Sequence, residues 1–154
     1  MNLVDELHAI AAALESAGIR YAVCGGIAVT MHGATRSTKD IDIVVAPADV
    51  QRVLDVVHPI GYRFPAIPMT FDQGTERERH VQRVSKVEGN EHLLLDLLLA
   101  DAAFEGALDD RIEVRLPEGT ISVVSRETLV RMKRLAGRAQ DVADLERLEA
   151  PDEA

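Results

Sequence analysis

Two aspartates separated by a single residue, Asp40-Ile41-Asp42, are the first feature of the chain whose types and spacing could do chemistry. On a β-strand alternate side chains share a face, so the pair would point the same way with Cα atoms roughly 6.5 to 7 Å apart while Ile41 and Ile43 turn into a core. Carboxylates held that close raise each other's pKa unless a cation lies between them, and Mg²⁺ accepts such oxygens together with substrate phosphates. The plainer reading of the pair is a solvated strand entrance. A third acid, Asp96, interrupts the run Leu93-Leu94-Leu95 and Leu97-Leu98-Leu99. An unpaired carboxylate in a strand buried on both faces, or nearly so, is costly. Asp96 therefore needs a metal, a base or a hydrogen-bonded partner, and a salt bridge to an arginine or an exposed edge position would also satisfy it. An EF-hand is excluded, because the glycine and distal glutamate of a calcium loop are missing from their positions.

Gly25-Gly26 precedes the paired acids by about 15 residues. Glycines at the end of a strand and the start of a helix leave backbone N–H groups unobstructed where phosphate oxygens are favoured. A glycine pair alone is common, and its value lies in that placement. Cys24 beside it reads as a small buried hydrophobe rather than a nucleophile. His32 reads as a packing histidine that could reach a phosphate. His8, His58, His80 and His92 share no zinc-ligand spacing with one another or with Cys24.

The elements that must position these residues follow from hydrophobic period. Leu3, Leu7, Ile10, Ala11 and Leu14 predict a helix over 3–17 ended by Gly18. Residues 19–24 read as a strand, 27–32 as a short helix, 41–45 as a second strand and 48–57 as a helix opened by Pro47. Pro65, Pro68 and Gly74 predict a loop over 65–77 that covers a site. Gly89-Asn90 predicts a turn between strands 81–87 and 92–99. A short helix over 101–108, strands 112–116 and 120–124, a helix capped by Ser125 and a last helix through Val142, Leu145 and Leu148 complete the order. The class is mixed α/β (α+β), a central sheet flanked by helices, with residues 1–150 as one domain and 151–154 as a short acidic tail.

The block from Arg36-Ser37-Thr38-Lys39 into Asp40-Ile41-Asp42, the Gly25-Gly26 turn, the strand carboxylate Asp96 and the tail Lys133-Arg134-Leu135-Ala136-Gly137-Arg138-Ala139-Gln140-Asp141-Val142-Ala143-Asp144-Leu145 together resemble the DNA polymerase beta-like nucleotidyltransferase superfamily. Within it the chain looks most similar to the small AbiEii-type toxin-related and minimal nucleotidyltransferase domains. The resemblance covers nearly the whole chain. It implies that Gly25 and Gly26 embrace a triphosphate, that Asp40 and Asp42 hold two Mg²⁺ or Mn²⁺ ions, and that Asp96 assists as metal ligand or base. It implies further that Arg36, Ser37, Thr38 and Lys133 meet the nucleotide, and that Asp141 orients Lys133 or the substrate. An exposed helix acid paired with Arg138 or Arg134 is the alternative for Asp141. Gly26 stands where many members of the superfamily carry serine, which removes a hydroxyl donor to phosphate. The large helical domain that many relatives use to grip a substrate has no counterpart in these residues, which leaves the acceptor open.

Composition bounds the function. A formal net charge of -9 argues against broad electrostatic binding to nucleic acid, although 77–83 and 126–138 are locally basic. The longest apolar run, 93–100, is far short of the roughly 20 residues of a membrane span and contains Asp96. An acidic N-terminus and a lone cysteine point to the cytoplasm. With two Tyr, three Phe and no Trp, the surfaces for stacking a base reduce to Tyr21, Tyr62 and Phe71. The sequence thus predicts transfer of an NMP from an NTP, with ATP as first guess, to a hydroxyl of RNA, a protein or a small molecule, possible partners being tRNA, a toxin or antitoxin protein or a second copy. The alternative is a nucleotide-binding antitoxin or regulatory partner of the same fold that does not turn over.

Overall fold

In the computed structural model, which describes residues 2–32 and 40–149, apolar spacing builds a helix-backed sheet. Helix α1 (Leu3–Ser16) buries Leu7, Ile10, Ala11 and Leu14, the i, i+3, i+4, i+7 stripe expected of a helix on a core. Asn2 caps it by accepting the N–H groups of Val4 and Asp5. Strand β1 (Tyr21–Cys24) follows, then α2 (Gly25–Met31), β2 (Ile41–Val45), α3 (Val50–Val57), β3 (Tyr62–Pro65), β4 (Met69–Phe71), β5 (Arg79–Glu88), β6 (Glu91–Leu99), β7 (Ile112–Leu116), β8 (Gly119–Val123), α4 (Arg126–Ala136) and α5 (Ala139–Glu149).

The eight strands form one mixed sheet in the order β3-β5-β6-β2-β1-β8-β7, with β4 also paired to β5. β2 runs parallel to β6 and antiparallel to β1, and β5 and β6 are a long hairpin. Ile41, Ile43, Leu95 and Leu97 are fully buried beneath α1 and α3. Glu6 of α1 ties that face together, accepting hydrogen bonds from Tyr62 Oη and Lys86 Nζ, both at 2.8 Å. The opposite face carries α2 and α4. Its side chains on β5 and β6, two residues apart, are only partly covered, and that is where a cleft opens. Among the described residues no helix is long and apolar enough to cross a membrane.

Three expectations change. The loop expected over 65–77 contains strand β4 and follows β3, β4 pairing with residues 79–81 of β5 and β3 with residues 84–86. The helix expected over 101–108 is only a 3₁₀ turn at Ala102–Phe104, because Ala102 (φ 46°) and Gly106 (φ 80°) adopt left-handed backbone that breaks an α-helix. Helix α2 begins at Gly25 rather than Ile27, so the glycine pair forms its first turn. Ser125 does cap α4, its Oγ accepting the Thr128 N–H at 3.0 Å.

Candidate active site

Strand register sets a row of side chains across four strands. Cys24 lies opposite Asp42, Asp42 opposite Asp96, and Asp96 opposite Arg83. Neighbouring strands run about 4.8 Å apart, so these groups interact directly. Asp42 is partly covered, and its carboxyl is pushed up from 3.8 to about 7, by burial first and then by Asp96, with a smaller push from Asp40. Lys133 and Arg138 pull it back without prevailing. Asp96 is held otherwise: Arg83 donates from Nε to Oδ1 at 2.7 Å and from its terminal nitrogen to Oδ2 at 3.0 Å, a two-pronged pair that raises the arginine's own pKa. The arginine partner named above as one resolution for Asp96 is thus present. Cys24 is buried and its thiol is pushed well above the usual range, by burial and then by Asp42, so it stays protonated and packs.

Gly25 has a specific reason to be glycine. It adopts φ 66°, and a Cβ there would stand 2.2 Å from Asp42 Oδ2. The start of α2 can therefore lie against the Asp42 carboxylate only without a side chain. Asp40 sits one residue before β2, which spans the 41–45 expected for it, and lines the same cleft.

Helices α4 and α5 bring a second charged group to the rim. Lys133, only 6% exposed, places Nζ 3.2 Å from Asp141 Oδ1 and 3.1 Å from Asp144 Oδ2. Asp141 also accepts from Arg138, at 2.8 Å from Nε and 3.1 Å from the backbone N–H, while Gln140 donates to Asp144 at 2.9 Å. Burial alone would raise the Asp141 carboxyl, but the Arg138 hydrogen bond and the Lys133 charge hold it below the usual range. Asp141 is fully buried, so the exposed-acid alternative does not hold, although its pairing with Arg138 does. Gly137 turns the chain between the helices with φ 66°.

The cleft between the sheet and α4 has a volume of about 600 Å³. Gly25, Gly26, Asp40, Asp42, Asp96, Lys133 and Asp141 all line it. Arg36, Ser37 and Thr38 lie outside the described residues. Phe71 stands at its edge, 41% exposed, with the Arg79 guanidinium 5.3 Å above the ring. Tyr21 and Tyr62 do not reach it: both are buried and hydrogen-bonded, to Glu15 and Glu6, and cannot stack on a base. His32 bonds the Val124 carbonyl at 3.0 Å, the packing role. The basic stretch 77–83 is engaged internally, Arg77 on carbonyls of α4, Arg79 on Asp72 and Arg83 on Asp96.

Sequence reasoning missed Arg83, Arg138 and Asp144 as members of the site. The signal for Arg83 was the Gly89-Asn90 turn, which pairs Glu88 with Glu91 and hence Arg83 with Asp96. Asp144 follows Asp141 by three residues on one helix face, which was enough to set both acids toward one cation. Among the described residues no three His, Cys, Asp or Glu side chains form a ready metal cage.

Solved structures share this architecture. A lincosamide antibiotic adenylyltransferase, LnuA, solved with lincomycin bound, is 19% identical with a TM-score of 0.59 over 95% of this chain and 96% of its own. ANT(2")-Ia, in complex with adenylyl-2"-tobramycin, is 14% identical with a TM-score of 0.58 over 94% and 86%. TM1012 of Thermotoga maritima, described as a nucleotidyltransferase, is 14% identical with a TM-score of 0.64 over 93% and 89%. Similarity at this identity establishes the nucleotidyltransferase fold. No curated protein sequence matches the chain. The model of the aminoglycoside-2''-adenylyltransferase family, however, matches residues 6–148, a span that contains the strand row, the glycine turn and the α4–α5 cluster together. The chain belongs to the aminoglycoside-2''-adenylyltransferase family and is a nucleotidyltransferase.

Proposed function

We propose that the chain moves a nucleoside monophosphate from an NTP, ATP before the others, to a hydroxyl of a small acceptor, with divalent metal held by Asp40 and Asp42. The observation that carries this is the Asp42 carboxylate on the cleft floor, pushed up to about 7 and pressed between Asp96 and the start of α2. An acid so placed lacks compensating charge, and an all-oxygen donor set of this kind suits Mg²⁺ or Mn²⁺, which bind through one or two carboxylates and substrate phosphates rather than in a protein cage. A bound divalent ion would stabilise the charge that builds on the phosphate oxygens.

The acceptor oxygen attacks the α-phosphorus, the bond from that phosphorus to the bridging oxygen breaks, and pyrophosphate leaves with the electron pair. The hydroxyl proton passes to Asp96, whose two oxygens keep lone pairs beyond the Arg83 fork. Arg138, whose side chain is mostly exposed at the rim, meets the triphosphate. Lys133 lies within two carboxylates and acts through its charge, which lowers the Asp42 carboxyl. Gly25 and Gly26 keep the approach to Asp42 free of side chains.

A cleft of about 600 Å³ supports a small acceptor ahead of tRNA or a partner protein. The toxin–antitoxin role suggested by the tail motif requires one of those larger acceptors. The test is thermal stability of the wild type and Asp42→Asn with each NTP plus Mg²⁺ or Mn²⁺, followed by transfer of α-labelled nucleotide to tobramycin, lincomycin or RNA. Metal-dependent stabilisation that disappears in Asp42→Asn is expected. No stabilisation by any NTP at millimolar concentration would overturn the proposal, and labelled RNA would move the acceptor to the toxin class.

A further inference from the structure

The turn from α4 to α5 brings two cations to the cleft, Lys133 near the end of α4 and Arg138 just past Gly137. Burial along α4 stops at Met132 and Lys133, and residues 137–140 are exposed. Asp141 fixes Arg138 within the turn, through the side chain and the backbone N–H. That bond does not fix the turn against the sheet, where Asp42 and Asp96 lie. A turn with so little apolar cover keeps a set place only where groups outside it hold it.

Arg77, in the connection from β4 to β5, supplies such a tie. Its Nε donates to the Leu135 carbonyl at 3.1 Å, and its Nη2 donates to the Arg134 carbonyl at 3.1 Å and to Leu135 again. The last carbonyls of a helix lack donors within it and carry the negative end of its dipole, which suits a guanidinium fork. The Arg138 N–H, which a continuing helix would give to Arg134, is turned to Asp141 instead. A Cβ on Gly137 would stand 3.1 Å from Arg77 Nη2, so the turn and the guanidinium are in contact. The connection that presents Arg77 is itself braced. Thr75 Oγ1 donates to the Asp72 carbonyl at 2.7 Å and accepts the Arg77 N–H at 3.1 Å, and Glu78 accepts the Gly74 N–H at 2.9 Å. Strand β5, which carries Arg83, begins at Arg79.

Resting on the reading that Arg138 meets the triphosphate, we infer that Arg77 is a positioning residue for nucleotide binding. It joins the sheet to the α4–α5 turn and so sets where Arg138 stands relative to Asp42, whose carboxyl already responds to the Arg138 charge. Arg77 is not one of the side chains that line the cleft, and it acts through Arg138. Arg52 is its counterpart on the other face of the sheet. From α3 it donates to the Ala17 carbonyl at the end of α1, at 2.8 Å, and reaches no group of the cleft.

The experiment is calorimetric binding of α,β-methylene-ATP with Mg²⁺ to the full chain and its variants. Arg77→Met should weaken binding about tenfold, while Arg52→Met, which removes the same kind of helix-end contact, should stay within about twofold of wild type. Both variants should melt only a few degrees lower, since each loses exposed hydrogen bonds. Arg77→Lys keeps a donor and a charge at the helix end and should stay within about threefold of wild type. Arg138→Met should weaken binding too, and in that background Arg77→Met should add no more than about twofold, because both act through one contact. A further full loss in that background would overturn the inference. So would Arg77→Met binding like Arg52→Met, Arg77→Lys as weak as Arg77→Met, or Arg138→Met binding like wild type. Absence of binding by the wild type itself would be failure of the nucleotidyl-transfer reading, which is thereby read separately.

Discussion

The strand row and the α4–α5 cluster use the same residue types and reach opposite balances. At the α4–α5 rim two buried carboxylates, Asp141 and Asp144, share Lys133, with Arg138 and Gln140 supplying the remaining donors. Each charge has a partner, and the Asp141 carboxyl stays below its usual range. On the cleft floor Arg83 is taken by Asp96, Lys133 and Arg138 do not prevail, and the Asp42 carboxyl rises to about 7. The first arrangement stabilises a helix pair, and the second leaves an acid whose ionisation costs stability, a cost that the proposed metal would offset. Local charge imbalance of the second kind marks the site where chemistry is done, because it is retained at a cost in stability.

The largest effect should follow from removing the imbalance. Asp42→Asn should lower nucleotidyl transfer by about a thousandfold or more, since it deletes a group worth several kcal/mol of charge stabilisation. Transfer of labelled nucleotide in a single-turnover assay checks this, and activity within tenfold of wild type would remove Asp42 from the chemistry. Lys133→Met should act on stability instead. It takes the lysine from buried Asp144, a loss of about 3 kcal/mol at the low end of the range for a broken buried pair, because Arg138 remains on Asp141. Adding Asp144→Leu should restore most of the melting temperature. If the double variant regains stability but not transfer, Lys133 has a part in the reaction beyond holding the helices.

Next in size is a pH effect that separates the two regions within one protein. In metal-free solution the Asp42 carboxyl has a folded value near 7 against 3.8 for the free group. Below the lower value it is protonated in both states and costs nothing. Between the two values the unfolded chain has released a proton that the folded chain still holds, so stability falls as pH rises, and above about 7 the loss is complete. Asp42→Asn removes that fall. Its melting temperature should rise above that of the wild type as pH goes from 4 to 7 and then keep a constant lead, at most about 4 kcal/mol in stability. Saturating Mg²⁺ with NTP should erase the lead. A constant difference across this range would mean that Asp42 is not perturbed.

How much of this was legible depends on how far apart in sequence the interacting residues lie. The helix stripes of α1 and α4, the β5–β6 hairpin and the alternation at Ile41 and Ile43 are local, and period alone gives them. Asp42 facing Asp96 needs β2 to run beside β6, a pairing of strands more than fifty residues apart that no local pattern encodes. Strand β4 is different: its partner is the start of the next strand, β5, but three residues among Pro65, Pro68 and Gly74 carry too short a pattern to read as a strand. Gly25 was legible as a glycine turn. That the glycine is required by the Asp42 carboxylate, and not only by a phosphate, needed the β1–β2 register. Residues 101–108 mislead because Ala102-Ala103-Phe104 has helical composition, while Gly106 and the left-handed Ala102 end the turn at once.

The smallest expected effect tests whether the α4–α5 cluster is as saturated as its hydrogen bonds indicate. Gln140 donates to Asp144 Oδ1 from one turn away, beside the charged groups on the two buried acids. Gln140→Leu removes one donor and leaves every charge in place. In a balanced network the loss is that of a single hydrogen bond to a charged acceptor, about 1.5 kcal/mol, which for a chain of this size lowers the melting temperature by about 5 °C. Nucleotidyl transfer at a temperature where the variant is folded should stay within twofold of wild type, because neither Asp42 nor Asp96 is touched. A larger fall in transfer with an unchanged melting temperature would mean that Asp144 tunes Lys133 for catalysis. The two regions would then be one electrostatic unit, and the contrast between a stabilising cluster and a reactive row would dissolve.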